Sequence, residues 1–350
     1  MNILYLVNNI STTSFPLDVV ERLKNNLNIK LKVAYLSSND QKRIKNFESI
    51  KIGGGKKNIL QNIIDLIRII KQHEINIIHT HHFHTTLIAR IIKLLNFKFK
   101  LITTYHTDLK RYSFLRKKFI TFLVSKNDGL IFNSKSTEYS IKELNLNLPY
   151  NKVIYNGIDL KYFKNQFLKS KINKHKIIKI CMIGRLVPVK NYEFIFNTFS
   201  EIRNLKFKIH VYGDGVLKED LKSLVNDLGL SNNIEFHGLV TRDKLLFELP
   251  NYDIFINSSF YEGFGNALIE AKLAGLKIIA PDLKVFHEVL GNSISYYINN
   301  DKESFISSFS DLLNTKTNID DINVLSQKYS LETHIENILE FYQKIHLKND

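Results

Sequence analysis

The segment from Asp253 to Pro281 constrains the fold most, because it predicts a strand, a helix and a second strand in succession. Its two ends, DIFIN and LKIIA, are short apolar runs that suit strands buried in a parallel sheet. Asn266 is expected to cap the helix between them, and Gly275 stands where that helix should end. Such a βαβ unit indicates an α/β protein.

The loop that enters this helix reads Glu262-Gly263-Phe264-Gly265, and Glu270 follows one turn inside the helix. Glycines directly before a helix let an anion approach the backbone N–H groups at its positive end. A single glutamate in such a place is usually a solvated surface charge. Two carboxylates that frame a glycine loop favour a ligand site instead.

These residues resemble the E-x7-E motif of the retaining GT-B glycosyltransferases, in particular family 4, whose members commonly read E-G-F-G-x-x-x-x-E-A. The resemblance extends over nearly the whole chain, with its motifs in the family order. It implies an α/β protein with the GT-B fold, in which two doubly wound Rossmann-like domains face each other across a cleft. It also implies a metal-independent hexosyltransferase that needs no cofactor.

Length and composition agree with this fold class. A chain of 350 residues with 44% hydrophobic and 24% charged residues suits a soluble protein of two domains. Cys181 is the only cysteine, so a reducing compartment is expected. The N-terminus lacks a basic leader, and no apolar run approaches the roughly 20 residues of a transmembrane helix. We therefore expect a cytoplasmic protein.

Strands and helices alternate along the chain and predict two Rossmann-like domains. The first covers residues 1–165 and ends after the segment Asn156-Gly157-Ile158-Asp159, which resembles the N-G-I/V-D segment of the family. A polar, basic linker is predicted at 164–176, and the donor-binding domain at 176–330. By resemblance, the C-terminal helix at 334–350 returns to complete the first domain.

The second domain opens with a strand that runs into Gly184-Arg185-Leu186 and then Lys190. The family segment G-R-L-x-x-x-K-N directs its Arg and Lys at the donor diphosphate, where fixed cations stabilise the charge of a departing nucleotide. As isolated residues, Arg185 and Lys190 would be ordinary surface charges. Their position after the strand that starts a domain favours a role as ligands.

Further donor-binding residues follow from the resemblance. Gly213 begins the family's G-x-G turn near the donor, and the backbone of Gly238 and Leu239 corresponds to the turn that faces the nucleobase. Glu270 would hold the ribose hydroxyls. Glu262 and the amides of Phe264 to Asn266 would contact the sugar and phosphate.

Histidines mark the ends of two strands in the first domain. His106 matches the family histidine that reaches the donor sugar, although a lone histidine after a strand is more often structural. The run from His79 to His84 contains four histidines, but neither a cysteine nor a carboxylate adjoins it to complete a metal site. We expect these residues to line the cleft or to have a structural role.

Two loops of the first domain lack a phosphate-binding pattern. The loop from Asn8 to Ser14 has no Gly-Gly pair, which family members usually carry there, so we assign it no phosphate contact. Gly53-Gly54-Gly55 lacks the strand-then-helix context of a phosphate fingerprint and is expected to be an ordinary loop.

The charge of the chain is divided unequally. Residues 1–170 contain 28 basic and 11 acidic residues, a net charge of +17, whereas residues 171–350 contain 21 and 23, a net charge of −2. A basic domain attracts nucleic acid, an anionic membrane or a phosphorylated substrate, and a lysine-rich composition alone also produces one. No recognition motif accompanies the charge, so nucleic acid is not the expected partner.

One basic segment carries aromatic residues that suit docking on anionic lipid headgroups, and an ordinary amphipathic helix with a solvated basic face explains it equally well. Its basic residues are Lys110, Arg111, Arg116, Lys117 and Lys118.

The combined motifs predict a retaining glycosyltransferase with His106, Arg185, Lys190 and Glu262 in its catalytic machinery and no protein nucleophile. The expected partners are a nucleotide-diphosphate sugar, UDP-sugar before GDP-sugar, and a glycan or lipid-linked acceptor. Synthesis of bacterial cell-surface polysaccharide or lipopolysaccharide, at the inner face of the membrane, is the expected setting. A sugar-nucleotide epimerase of the same fold remains the alternative, and a basic nucleic-acid-binding protein is the least favoured.

Overall fold

The computed structural model of the chain describes residues 1–10, 15–24, 26–38, 44, 49–53, 58–107, 113–163, 177–203, 205–315 and 318–347, with the backbone alone for 15, 115, 116, 119, 122 and 123. These residues form two compact units, one from residues 1–157 and 331–350 and the other from residues 158–330. Each unit is built on its own parallel sheet.

The first unit alternates strands and helices along the chain. Its elements are β1 (Asn2–Ile10), α1 (Phe15–Leu23), β2 (Lys30–Ser38), β3 (Ser49–Lys51), α2 (Ile59–Gln72), β4 (Ile77–Thr80), α3 (Phe83–Leu94), β5 (Lys100–Tyr105), α4 (Phe114–Leu123), β6 (Gly129–Phe132), α5 (Lys135–Lys142) and β7 (Tyr150–Val153). The sheet order is β3-β2-β1-β4-β5-β6-β7, with every neighbour parallel. Residues 3–7 of the central β1 are fully buried, as expected for a strand covered on both faces.

The second unit repeats this design. Its elements are β8 (Ile178–Ile183), α6 (Tyr192–Glu201), β9 (Phe207–Tyr212), α7 (Lys218–Asp227), β10 (Ile234–Gly238), α8 (Arg242–Glu248), β11 (Ile254–Ile256), α9 (Asn266–Leu273), β12 (Lys277–Pro281), α10 (Lys284–Leu290), β13 (Ser295–Tyr297), α11 (Lys302–Asn314) and α12 (Ile319–Lys328). The sheet order is β10-β9-β8-β11-β12-β13, again parallel throughout. The two doubly wound sheets confirm the predicted fold class.

The last helix, α13 (Leu331–Leu347), packs on the first unit although it follows the second in sequence. Phe341, Tyr342 and Ile345 join the core cluster that contains Ile3 and Tyr5 of β1. The helix begins three residues earlier than the predicted start at 334.

The sequence pattern misplaced the buried face of α2. The apolar spacing between Asn58 and Lys71 predicts a helix with a buried stripe of Leu60, Ile63, Ile64, Ile67 and Ile70. Leu60 and Ile64 are 69% and 44% exposed. Ile70 is buried as predicted, and Ile63 and Ile67 pack against the core. Asn62, Leu66 and Ile69, which the stripe did not include, are buried as well. The run ILQNIIDLIRII is apolar around much of the helix, so its periodicity leaves the rotation of the helix ambiguous.

Some predicted features lie outside the described residues. They are the linker at 164–176, most of the loop from Asn8 to Ser14, Gly54 and Gly55 of the triple glycine, and the basic residues Lys110 and Arg111.

Candidate functional site

Lys190 and Glu262, which sequence analysis placed in the catalytic machinery, lie in contact in the second unit. Their side chains form an ion pair between Nζ and Oε1. The Ser259 hydroxyl donates to the same carboxylate oxygen at 3.0 Å, and the Ser258 hydroxyl donates to the Lys190 carbonyl at 2.7 Å. The loop after β11 therefore holds both the position of the lysine backbone and the orientation of the glutamate.

Arg185, the other predicted cation of the diphosphate site, is exposed on the loop that follows β8. Among the described residues, no side chain forms a hydrogen bond or ion pair with its guanidinium. Its backbone carbonyl accepts a bond from the Val187 N–H at 2.9 Å, which is part of the turn that leads to Lys190. The loop thus presents one exposed cation and one cation that is already paired.

The three predicted backbone positions Gly184, Gly213 and Gly238 meet at the carboxyl ends of β8, β9 and β10. The Gly184 N–H donates to the Tyr212 carbonyl at 3.0 Å, and the Gly213 N–H donates to the Gly238 carbonyl at 2.9 Å. A Cβ atom at Gly213 would lie 1.9 Å from the Gly184 carbonyl oxygen, so this position admits no side chain. Carboxyl ends of parallel strands are where open α/β sheets bind ligands. Leu239, the residue after this turn, is 71% exposed.

The entry of α9 differs from the prediction, because Gly265 and not Asn266 is the N-cap. Gly265 has φ of +92°, a left-handed conformation that glycine adopts without steric cost. Its carbonyl accepts from the N–H groups of Leu268 and Ile269, at 3.0 and 3.3 Å, so the helix begins at Asn266 itself. Asn266 is therefore the first helical residue.

Phe264, between the two glycines, anchors this loop in the second unit. Its side chain is 2% exposed, and its ring meets the ring of Tyr329 edge to face with centroids 5.6 Å apart. The aromatic side chain is thus committed to the core. Any contact between Phe264 and a ligand has to come from its backbone, as the resemblance implied.

Glu270 is buried in α9 at 3% exposure, which excludes the reading as a solvated helix residue. Its carboxylate pairs with the guanidinium of Arg242, the first residue of α8. A buried carboxylate is retained in a protein only with a partner that compensates its charge. The pair therefore holds an ionised carboxylate one turn inside α9.

The first unit surrounds His106 with other histidines. His106 Nε2 and His81 Nδ1 are 3.1 Å apart, so one of the two nitrogens donates to the other. Burial lowers the pKa of His106 to about 3, with further lowering by the charges of His82 and His334. Burial also lowers the pKa of His81 well below its usual value. The pair is therefore neutral at physiological pH.

His79, the first member of the histidine run, has a structural role. It is fully buried, with Nδ1 2.7 Å from the Tyr342 hydroxyl and Nε2 2.7 Å from the Thr104 hydroxyl. Tyr342 in turn donates to the Tyr5 hydroxyl at 2.8 Å. This network ties α13 to the centre of the first sheet.

Three further residues that support the site, Arg242, Ser259 and His81, had no predicted role of their own. The sequence did contain a signal for Arg242. A cation in the first turn of a helix is unfavourable because it opposes the helix dipole, so its presence there indicates an anionic partner. Ser259 lies three residues before Glu262, a spacing that carries no local signal. His81 was grouped with its neighbours, and the pattern did not distinguish it from them.

The basic segment of the first unit is described in part. In α4, Phe114 is 69% exposed and Lys118 Nζ lies 4.7 Å from the centre of its ring, while Ile120 is buried. Lys117 is half-buried, and the side chain of Arg116 lies outside the described residues. Within the described residues, the helices are too short or too polar to span a bilayer.

Comparison with protein families gives two adjoining matches. Residues 28–162 match the model described as Glycosyltransferase Family 4, and residues 163–323 match the model described as Glycosyl transferases group 1.

Two relatives illustrate the sequence similarity. One is the "UDP-Gal:alpha-D-GlcNAc-diphosphoundecaprenol alpha-1,3-galactosyltransferase" of Escherichia coli, 27% identical over 77% of this chain and 73% of its own length. The other is the "Uncharacterized 41.2 kDa protein in cps region" of Klebsiella pneumoniae, 24% identical over 66% of each chain. The matched regions thus cover 73% and 66% of the lengths of these two relatives.

A solved structure supports the fold. The crystal structure of Anabaena Alr3699/HepE in complex with UDP and glucose has a TM-score of 0.83 at 16% identity, covering 98% of this chain and all of the other. The two chains therefore share a fold over nearly their full lengths.

Proposed function

The chain belongs to the glycosyl transferases group 1 family, which is glycosyltransferase family 4, and from this premise we propose that it is a retaining, nucleotide-sugar-dependent glycosyltransferase. The observation that carries the proposal is the contact between Lys190 and Glu262. These residues come from separate motifs, 72 positions apart, and they meet beside the loop that enters α9. If only one of the two motifs served the proposed function, a contact between Lys190 and Glu262 would not be expected.

Arg185 and Lys190 act on the donor diphosphate in this proposal. Two fixed cations stabilise the negative charge that grows on the diphosphate as the bond to the sugar breaks. The ion pair with Glu262 holds Lys190 in place, and a diphosphate, which carries more charge than one carboxylate, competes with Glu262 for the ammonium group. Arg185, exposed on the same loop, is positioned by the turn that precedes Lys190.

Glu270 binds the ribose hydroxyls of the nucleotide. The Arg242 guanidinium keeps the buried Glu270 carboxylate ionised, and a charged acceptor forms stronger hydrogen bonds with hydroxyls than a neutral one. The glycine turn of Gly184, Gly213 and Gly238 provides the backbone surface for the base and the adjoining phosphate. His106 contacts the donor sugar as a neutral imidazole.

Relatives guide the proposed substrates. The E. coli relative is named for a UDP-Gal donor and a diphosphoundecaprenol-linked acceptor, and HepE was crystallised with UDP and glucose. We propose a UDP-sugar as donor and a polyprenyl-diphosphate-linked saccharide as acceptor, in the synthesis of bacterial cell-surface polysaccharide. Docking at the inner membrane surface through the basic segment around α4 brings the protein to such an acceptor.

A ligand panel tests the donor. UDP-, GDP- and ADP-sugars are compared by thermal shift, because a ligand at 100 times its dissociation constant stabilises the folded protein by roughly 2.7 kcal/mol. UDP-sugars should raise the melting temperature of the wild type and shift Glu270→Gln less. A panel without any shift would contradict the proposed donor class.

Turnover distinguishes the epimerase alternative. The transferase should release UDP only when the donor and a lipid-linked acceptor are both present. Conversion of the donor into another nucleotide sugar without acceptor would instead identify an epimerase.

A further inference from the structure

Two histidines and a glutamate meet on one face of the sheet of the second unit, at the edge formed by β9 and β10. Glu235 of β10 lies directly opposite His210 of β9 in the parallel register, and His237 follows Glu235 by two residues. The paired residues Glu235 and His210 project from the same face of the sheet. The register shifts between Phe236 and Gly238, and the contact of 2.9 Å between the His210 and His237 rings shows that His237 lies on that face as well. Among the residues that the structure describes, this is the one such group with spacing suited to a metal ion.

Two of the three distances between the ligand atoms are close to those that a metal ion requires. His210 Nδ1 is 2.9 Å from His237 Nε2 and 3.6 Å from Glu235 Oε2. A tetrahedral ion with bonds of about 2.0–2.1 Å separates its ligand atoms by about 3.3 Å. These two distances bracket this value, and all three ligand atoms lie within 4.8 Å of one another. Rotation of the side chains has to bring the His237 and Glu235 atoms together for three corners of a tetrahedron to form.

Neighbouring aromatic rings hold both imidazoles in position. His237 stacks on Tyr212 with ring centroids 4.5 Å apart and planes 12° from parallel, and the ring of His210 lies 5.1 Å from that of Tyr252. The Tyr212 hydroxyl donates to Glu248 at 2.6 Å, which fixes the ring on which His237 stacks. Pre-oriented ligands lower the entropy lost when an ion binds.

We propose that His210, Glu235 and His237 bind a divalent transition metal ion of the zinc class. Two neutral imidazoles with one carboxylate suit Zn²⁺, Co²⁺ or Ni²⁺, whereas Mg²⁺ and Ca²⁺ prefer oxygen ligands alone. Three protein ligands leave the fourth tetrahedral position for water. The half-buried histidines and the exposed Glu235 give the ion direct access from solvent.

The charge and the location of the site have consequences. Lys179 and Lys208 also act on His210 as nearby positive charges, so they oppose a cation and weaken its binding.

His237 immediately precedes Gly238, whose carbonyl accepts a hydrogen bond from the Gly213 N–H. An ion on His237 would therefore restrain the backbone where the carboxyl ends of β9 and β10 meet. The site itself does not depend on the proposed donor or reaction.

Metal stoichiometry tests the site. Untagged protein is dialysed against Zn²⁺, and bound metal per chain is measured by elemental analysis for the wild type, His210→Ala/His237→Ala and Glu235→Gln. The wild type should hold one zinc ion more than the double variant, and Glu235→Gln should bind more weakly than the wild type. His287→Ala is the matched control, because it removes a half-exposed imidazole that contacts a single carboxylate, Asp282, at 2.6 Å.

A second measurement guards against variants that fold poorly. Zn²⁺ or Co²⁺ should raise the melting temperature of the wild type and of His287→Ala, Mg²⁺ should not, and the double variant should respond to none of them. Co²⁺ should also give the visible absorption bands of a tetrahedral ion in the wild type and in His287→Ala, and should give none in the double variant. Equal stoichiometry in the wild type and a folded double variant would overturn the proposal and leave a hydrogen-bonded histidine pair.

Discussion

Lys190 and Glu262 form a half-buried ion pair in which the two side chains are only 18% and 17% exposed. The pair joins the loop after β8 to the loop after β11, and these strands are neighbours in the sheet. Their contact places a cation at the loop that enters α9, a helix whose N-terminus also favours an anion through its dipole. A diphosphate is the anion that our account assigns to this place.

Replacing Lys190 by Gln should lower kcat by about 10²–10³, and by more than it weakens donor binding, because the charge that Lys190 meets grows in the transition state. Steady-state kinetics with titrated donor separates the two effects. Lys302→Gln removes a lysine that pairs with Glu201 on the surface and should leave both unchanged. Equal losses in kcat and donor affinity would mean that Lys190 only binds.

Glu270→Gln should weaken nucleotide binding by roughly 1–3 kcal/mol, the cost of losing a charge-assisted hydrogen bond at a buried site. Calorimetric titration with UDP measures this loss, and circular dichroism checks that the variant is folded. Glu303→Gln, an exposed glutamate in the first turn of α11, is the control and should bind as the wild type does. Unchanged affinity in folded Glu270→Gln would remove Glu270 from the ribose site.

The free energy of unfolding should decrease as the pH is lowered, because buried histidines are neutral in the folded protein. Burial lowers the pKa of His334 from 6.5 to about 4, so the ring stays neutral in the folded protein but takes up a proton on unfolding below pH 6.5. Its stabilising contribution is complete above pH 6.5 and is lost as the pH falls toward 4. Wild type should therefore lose about 1.4 kcal/mol per pH unit more than His334→Gln over this interval.

Urea unfolding at a series of pH values measures the effect, and Gln can still donate to the Tyr155 carbonyl that His334 Nδ1 contacts at 2.6 Å. Parallel stability curves for the two proteins would show that the ring of His334 is protonated in the folded state.

The basic segment should hold the protein on anionic vesicles at low salt. Each of Lys110, Arg111, Arg116, Lys117 and Lys118 contributes on the order of 1 kcal/mol near an anionic surface, and salt screens this attraction. Vesicle sedimentation should show binding to anionic but not neutral lipid, lost at high salt and in the variant with all five changed to Gln.

A control with the same change of charge separates location from net charge. It replaces five exposed lysines of the second unit by Gln, namely Lys206, Lys222, Lys244, Lys284 and Lys302. If this control loses binding to anionic vesicles as fully as the first variant, vesicle binding depends on net charge and not on the segment around α4.

The sequence predicted the features that depend on local patterns. The short apolar runs from Gly129 to Phe132 and from Phe207 to Tyr212, each with clear flanks, predict two strands, and the structure has both with these bounds. Gly275, predicted to end α9, has φ of +84°, which few other residues adopt without strain. Alternating strands and helices were sufficient for the fold class.

Contacts between distant parts of the chain were beyond the sequence pattern. Nothing local indicated that Arg242 compensates the charge of Glu270, or that His210, Glu235 and His237 share a face, because strand register decides both proximity and direction. The predicted N-cap of α9 was wrong by one residue because it, too, depends on a contact with a distant residue. Asn is the better general cap, but here packing against Phe286, 3.1 Å from a Cβ built on Gly265, favours glycine at that position.

The most direct test follows a labelled sugar. UDP-sugar with an α-linked, labelled sugar is incubated with the protein and a polyprenyl-diphosphate-linked saccharide, and the lipid product is examined by mass spectrometry and by NMR of the anomeric centre. Our account predicts that the label moves to the lipid only when protein, donor and acceptor are all present, and that the new linkage is α. A β linkage, or a labelled sugar converted without acceptor, would contradict the assignment as a retaining glycosyltransferase.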